Sequence, residues 1–315
     1  MSVLSFREGR SSDLRPTFEL GEAALDASRI ERGLLPPDHQ RAEQDLDARW
    51  ERERGLLEFI VAQADGAFVI CEDDDELVGY TRVARFGAMD ELTELWVAPS
   101  HSGLGVGRAL LERCWPESPT PELGRVVLGI GRPADLTLYT QFGVMPVSGH
   151  WHMRHRSEEY VERRSQEIDA GPPTVHALTP ERAVAEWKRL EPSAIGHERP
   201  LLHEFFGRTR TCLATIDAER GEASALCWVS SDGDIGPAVG EAAQDLVPVV
   251  LAALDRVAKS QEPESIGVFC TTDSWRLLDR LRRLGFRVHW PGWLMSSVPL
   301  PGLDRYVGTR PPRPL

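Results

Sequence analysis

The stretch WVAPSHSGLGVGRALLERC, Trp96 to Cys114, decides how this chain is read. A short apolar run ends at Pro99, three glycines follow in a G-x-G-x-G pattern (Gly103, Gly105, Gly107), and the apolar spacing then becomes helical. The first N–H groups of a helix have no partner inside it, and the aligned peptide dipoles leave that end partly positive. Glycines just before it allow positive φ and a close approach of the backbone to a ligand. Together these features form a cradle for phosphate, to which Arg108 would add a full charge. A tight strand-to-helix turn without a ligand is the alternative. Two nucleotide motifs are excluded: no Lys follows as in G-x-x-x-x-G-K-[ST], and the glycine spacing is not G-x-G-x-x-G.

The rest of the chain sets the frame. Its 315 residues suggest two domains. Apolar residues make up 41%, and no apolar run approaches the roughly 20 residues that span a bilayer. The first residues, MSVLSFREGRSSDLR, lack a signal peptide's apolar segment, so a soluble cytoplasmic protein is expected. Five dispersed cysteines without a C-x-x-C pair argue against a disulfide framework and a structural zinc site. A formal charge of −13 opposes a nucleic-acid footprint and would suit a cationic substrate.

The two halves echo each other. Ala67–Cys71, the turn EDDDE and LVGYTRVAR form a hairpin pattern, repeated by TCLATI, DAERGE and ASALCWVS. A strand ending in Pro follows in each half, at Pro99 and Pro237. Then come a helix, an apolar strand (Arg125–Ile130; Ser265–Cys270), and a helix ending in Gly143 or Gly285. The offsets stay nearly constant: 138 between the prolines, 140 between Ile130 and Cys270, 142 between the glycines. Such spacing predicts a fold built twice. Each half reads β-α-α-β-β-β-α-β-α-β, a mixed α/β (α+β) fold with a twisted mixed sheet flanked by helices on both faces. The first half carries an extra charged helical stretch over Pro36–Gly55. The expected domains are 1–156 and 173–300, joined by a polar linker at 157–172 and followed by a Pro-rich tail at 301–315.

The chain resembles the GNAT superfamily of N-acetyltransferases in its tandem, mycothiol synthase-like form. That family's L-x-V-x-P strand, Q/R-x-x-G-x-G/A turn and helix are matched by Leu95, Val97, Pro99, Gly105 and Gly107, with Ser102 at the Gln/Arg position. Its Y-x-x-x-G-F motif is matched by Tyr139 and Gly143, with Val144 in place of Phe. The resemblance covers residues 1–155 by motif and 173–298 by architecture. It implies two tandem GNAT folds and acetyl-CoA, or another acyl-CoA, as co-substrate. In the family the pantetheine arm lies where the fourth strand splays from the fifth. This implies Trp96, Val97 and Ala98 along that arm, and Gly103, Leu104, Gly105, Val106, Gly107 and Arg108 around the pyrophosphate.

Acyl transfer to an amine needs a deprotonated nitrogen, a donor to the carbonyl oxygen and a proton for the leaving thiolate. The resemblance assigns the donor to the Val97 N–H and the proton to Tyr139, whose other reading is a half-buried helix residue. Glu94, a carboxylate in an apolar strand, is the candidate base; the alternatives are a salt bridge to Arg82 with a structural role, and an ordered water as base. In the second half Gly240 stands alone, Asp245 would repel a phosphate, and Leu281 takes the place of Tyr139. That copy is expected to have lost the coenzyme site.

His150, His152 and His155 look metal-like but lack acidic or Cys partners, so no metal is expected and a wet final strand is read there. Trp290 and Trp293 read as core or interface residues. Glu43, Asp45 and Asp47 could attract an amine, though a solvated helix face is the default. The leading expectation is an N-acetyltransferase acting on a primary amine of a small molecule, a monomer or homodimer without nucleic-acid or membrane partners. A non-catalytic acyl-CoA-binding pseudoenzyme and an aminoacyl-tRNA-dependent acyltransferase are the alternatives.

Overall fold

A computed structural model describes residues 4–63, 65–130, 133–167, 174–261, 263–311 and 314–315. The chain forms two compact units: Met1–Arg85 with Asp90–Thr120, and Phe86–Met89 with Pro121–Leu315.

The first unit holds β1 (Leu4–Glu8), α1 (Leu14–Glu31), α2 (Glu43–Gln63), β2 (Asp65–Asp73), β3 (Glu76–Phe86), β4 (Met89–Val97) and α3 (Val106–Cys114), in sheet order β1-β2-β3-β4. The EDDDE turn closes β2 on β3 through Asp74 and Asp75, both at positive φ, as the tight turns of hairpins require. Alternation along β2 sends Phe68 and Ile70 to a core with Leu14 and Phe18 of α1 and Leu57 of α2. It sends Val69 and Cys71 to a second core with Val106 and Leu110 of α3. The sheet is thus covered on both faces, as expected. The charged stretch expected over Pro36–Gly55 becomes helical only from Glu43. Glu43 and Asp45 occupy that helix's first turn, where negative charge suits the dipole, and Asp47 pairs with Arg15 of α1.

The second unit contains β5 (Gly124–Gly129), α4 (Pro133–Gln141), β6 (Met145–Arg156), α5 (Ser157–Ser165), β7 (Val175–Ala177), α6 (Pro180–Leu190), α7 (Pro192–Ile195), α8 (Pro200–Thr209), β8 (Arg210–Ile216), β9 (Ala223–Ser230), β10 (Ile235–Gly240), α9 (Ala243–Gln261), β11 (Ser265–Thr271), α10 (Trp275–Arg283), β12 (Arg287–Ser296) and β13 (Tyr306–Val307). The repeat is visible here: α4 and α10 begin and end 142 residues apart (133 to 275, 141 to 283). The strands interleave, however. One sheet runs β5-β12-β6-β11 and the other β13-β10-β9-β8-β7. β12 pairs antiparallel with both β5 and β6, and β6 in turn pairs antiparallel with β11. β5 and β6, joined by the helical crossover α4, do not lie side by side. Instead a strand from the other copy is inserted between them, which is why a boundary near 157 does not appear as a break in compactness.

Several expectations are corrected in this unit. The stretch read as a linker opens as α5, where Tyr160 is fully buried and donates to Asp255 Oδ1 at 2.6 Å; its remainder, 168–172, lies outside the described residues. The Pro-rich tail is built in: Tyr306 and Val307 are fully buried and form β13 on the edge of β10. Pro237 stands inside β10 rather than at its end. The histidine strand β6 is not a wet final strand, since it is hydrogen-bonded on both sides. His150 is buried, and His150 and His152 both stack on Phe269, the latter at 4.4 Å. Burial pushes His150 down to about 3 and His152 down to about 4. Trp293, read as core or interface, keeps 39% of its surface exposed.

Candidate active site

The strand-to-helix stretch lies wholly in the first unit. Leu95, Val97 and Ala98 pack towards Val106 and Leu110, while Trp96 turns to the α1 face. Ala98 N–H donates to Val78 O at 2.8 Å, which carries the chain across the end of β3. Gly79 makes this crossing possible: a Cβ there would come within 3.2 Å of Trp96 O and within 3.1 Å of Val106 Cγ1. A single 3-10 turn, Pro99–His101, follows, and His101 Nε2 lies 3.1 Å from Asp73 Oδ2 at the end of β2.

Gly103 has φ +79 and Gly105, the N-cap of α3, has φ +87. Only glycine adopts these angles without strain. A Cβ at either position would meet nothing within 4 Å, so conformation rather than crowding demands glycine, and the space beside the turn is open. Among the described residues, the amides of Gly103, Gly105, Val106 and Gly107 have no acceptor in the protein. Leu104 N–H makes a long 3.4 Å contact with His101 O, and Leu104 itself is 68% exposed. Arg108 is exposed on the first turn of α3. Four donors beside a helix N-terminus, with Gly103 and Gly105 exposed beside them, make an anion site of the kind the sequence suggested.

Glu94 sits on the other face of β4 and is buried. It pairs with the fully buried Arg82 of β3, and Tyr80 O–H donates to Glu94 Oε1 at 2.9 Å. Arg82 also donates to Thr17 Oγ1 of α1, and its guanidinium lies 4.7 Å from the Phe68 ring and 4.8 Å from the Tyr80 ring. Burial lowers Arg82 to about 10 and pushes the Tyr80 hydroxyl upward. The salt-bridge reading of Glu94 is the one the geometry displays. Trp96 packs beside this cluster, where Gly21 of α1 leaves room: a Cβ there would lie 2.6 Å from Tyr80 Oη and 3.2 Å from Trp96 Cδ1.

Tyr139 belongs to the second unit. It is 8% exposed on α4, with its Cε2 3.9 Å from where a Cβ on Gly129 of β5 would stand. Leu281, its counterpart 142 residues later, is fully buried among the apolar residues of α9 and β11. At the start of α9, Asp245 Oδ2 accepts from Ala242 N–H at 3.0 Å. That carboxylate takes one amide at the helix end and places a negative charge in its first turn, where α3 has none.

The sequence pointed to the glycines and to Glu94. It missed Tyr80, Gly79 and His101, whose roles depend on what stands opposite them; the only hint was a lone Gly inside a strand pattern, which marks a close backbone approach. Among the described residues, no group of three His, Cys, Asp or Glu could hold a metal ion, and no helix is long and apolar enough to cross a membrane.

Residues 64–143, which include the glycine turn and Tyr139, match the family model of the acetyltransferase (GNAT) domain. Solved structures extend the likeness in fold to nearly the whole chain. A Pyrococcus horikoshii protein provisionally assigned as an acetyltransferase superposes with TM-score 0.70 at 14% identity, covering 99% of this chain and 96% of that one. A tandem GNAT protein from the clavulanic acid biosynthesis pathway gives 0.62 at 16% identity, over 94% of this chain and 99% of its own. A GCN5-related N-acetyltransferase from Sphaerobacter thermophilus gives 0.57 at 16%, over 94% and 96%. At these identities the likeness is one of fold: two tandem GNAT folds of mixed α/β class. No curated protein matches the chain in sequence.

Proposed function

We propose that the chain is an acetyl-CoA-dependent N-acetyltransferase that moves an acyl group to the primary amine of a small molecule, with its site in the first repeat. The observation that carries this reading is the row of amides without acceptors at Gly103, Gly105, Val106 and Gly107. They meet the needs of a diphosphate: several N–H donors, a positive helix end, Arg108 nearby and no side chain filling the space. Trp96, Val97 and Ala98 then accompany the pantetheine arm, and Leu104 completes the turn. The second copy, residues 173–300, is read as keeping the fold without the site, supported by Asp245 at its own helix end.

The acyl carbonyl is served by the Val97 N–H, and Tyr139 supplies the proton to the leaving thiolate. For removal of the ammonium proton, the pairing of Glu94 with Arg82 and Tyr80 favours an ordered water as acceptor. A carboxylate already compensated by a buried guanidinium is a weak base. The test is thiol release from acetyl-CoA against a library of amines. Turnover with a primary amine supports the reading. Absence of both turnover and coenzyme binding removes it; tight binding without turnover would leave a non-catalytic coenzyme binder.

A further inference from the structure

The segment that follows β12 raises a separate question. Residues 302–309 fall in the stretch read as a Pro-rich tail, and Leu303, Tyr306, Val307 and Thr309 are all buried. β13 lies antiparallel on the edge of β10 that β9 does not use, with Ala238 opposite Val307 and Val239 opposite Tyr306. On its other side the segment is held by hydroxyls from β11 and the start of α10. Thr271 Oγ1 donates to Leu303 O at 2.5 Å, and Ser274 Oγ lies 2.9 Å from Leu303 O and 3.1 Å from Tyr306 O. Both hydroxyl-bearing residues are fully buried. β10 and β11 belong to different sheets, so the segment fills the gap between the second copy's fourth and fifth strands.

The contact is shaped on both sides. Gly236 of β10 has φ +122, and a Cβ there would lie 2.5 Å from Gly308 O. Gly302 N–H donates to Ala194 O at 2.8 Å, and a Cβ on Gly302 would meet Ala194 Cα at 2.8 Å. Glycines at both approaches, three backbone-directed hydroxyl contacts and a two-residue ladder describe a built seat for an extended chain bearing amides.

We infer that the seat between β10 and β11 is a peptide-binding site whose occupant is this chain's own segment 302–309, and that this segment closes the second copy to other extended ligands. The equivalence of that gap to the first copy's pantetheine path rests on the function proposed above; the seat and its occupant do not. With Asp245 on the helix end and the segment along the strand edge, the second copy is closed twice by its own residues.

The test uses the full chain with Val307→Asp, which loosens the segment while leaving Thr271 and Ser274 in place to hold a peptide, and Val307→Ala as the milder form should that chain not fold. Amide hydrogen exchange is followed in 302–311, in 235–240 and in 67–84. A fluorescent peptide spanning 301–315 is then titrated into parent and variant. The expected result is exchange at least tenfold faster in 302–311 and 235–240 together, no change in 67–84, and saturable one-to-one peptide binding by the variant but not by the parent. The inference is overturned by a freed segment with β10 still protected, by a variant that takes no peptide, or by unchanged exchange in 302–311. Because no coenzyme enters these measurements, failure of acetyl transfer would leave the inference standing.

Discussion

Replacing Arg82 by Met tests the buried pair beneath β4 and, through it, the role of Glu94. Arg82 is fully buried and Glu94 is 6% exposed, so neither charge has water to turn to. In Arg82→Met the Glu94 carboxylate keeps the Tyr80 hydroxyl but loses its counter-ion. Removing one member of a buried pair costs about 3–5 kcal/mol, because the other stays behind uncompensated. Glu94→Leu strands Arg82 with Thr17 as its remaining side-chain partner and is expected to cost a similar amount. The double variant leaves two apolar side chains in an apolar setting that includes Phe68 and Trp96, and should recover most of the loss. Urea denaturation of the four chains at pH 7 gives the coupling from the cycle, expected at about 5 kcal/mol or more, the two single losses less the small double loss. Single variants that each cost less than about 0.5 kcal/mol and simply add would refute the reasoning. The same position separates structure from chemistry. Glu94→Gln, where folded, should lower kcat by less than about tenfold if water is the base, against roughly 10²–10⁴ if Glu94 is.

Gly105→Ala places a side chain at φ +87 in open space, so the penalty is conformational: about 1–2 kcal/mol of local stability. The same change should weaken coenzyme binding by about tenfold or more in calorimetry as the cradle relaxes. Tyr139→Phe should lower turnover while leaving coenzyme affinity within about twofold; equal turnover in the two chains would remove its role as proton donor. Gly236→Ala should destabilise the second unit by several kcal/mol in denaturation, since the new methyl meets Gly308 O. His150 and His152 are held neutral well below their usual 6.5, so an unfolded chain binds more protons than the folded one between pH 6.5 and about 4. Stability contributed by these two groups is full above pH 6.5 and falls with pH through that window, by about 2 kcal/mol each between pH 7 and 5. His150→Asn should flatten the dependence measured by thermal melts; an unchanged slope would show that His150 is not its source.

Much of this was legible in the residues because local rules governed it. The hairpin turns, the glycine turn and the helix pair ending at Gly143 and Gly285 are short-range signals: two acidic residues at positive φ, glycines at a helix start, a fixed period. The offset of 142 between α4 and α10 is the repeat seen directly. What sequence spacing could not supply was the partner of each strand. β12 inserts between β5 and β6 because antiparallel pairing with both buries Leu294 and Met295, and no local pattern records which strands will be neighbours. The same blindness hid the tail. Its prolines gave it only the name of a tail, while Tyr306 and Val307, which carry its burial, went unremarked. At the site, the glycines were evident from type and spacing. The meaning of Glu94 depended on Arg82 and Tyr80 standing opposite, as the alternation suggested for Arg82 and left unsaid for Tyr80.

The most direct test of the coenzyme cradle is a nitrogen–proton correlation spectrum of the chain titrated with acetyl-CoA. The account predicts that the amide resonances of Gly103, Gly105, Val106 and Gly107 move furthest and saturate together, while those of Ala242 and Ala243 at the second helix end stay fixed. Saturable binding that leaves the four amides unmoved, or that moves the second helix end instead, would contradict it.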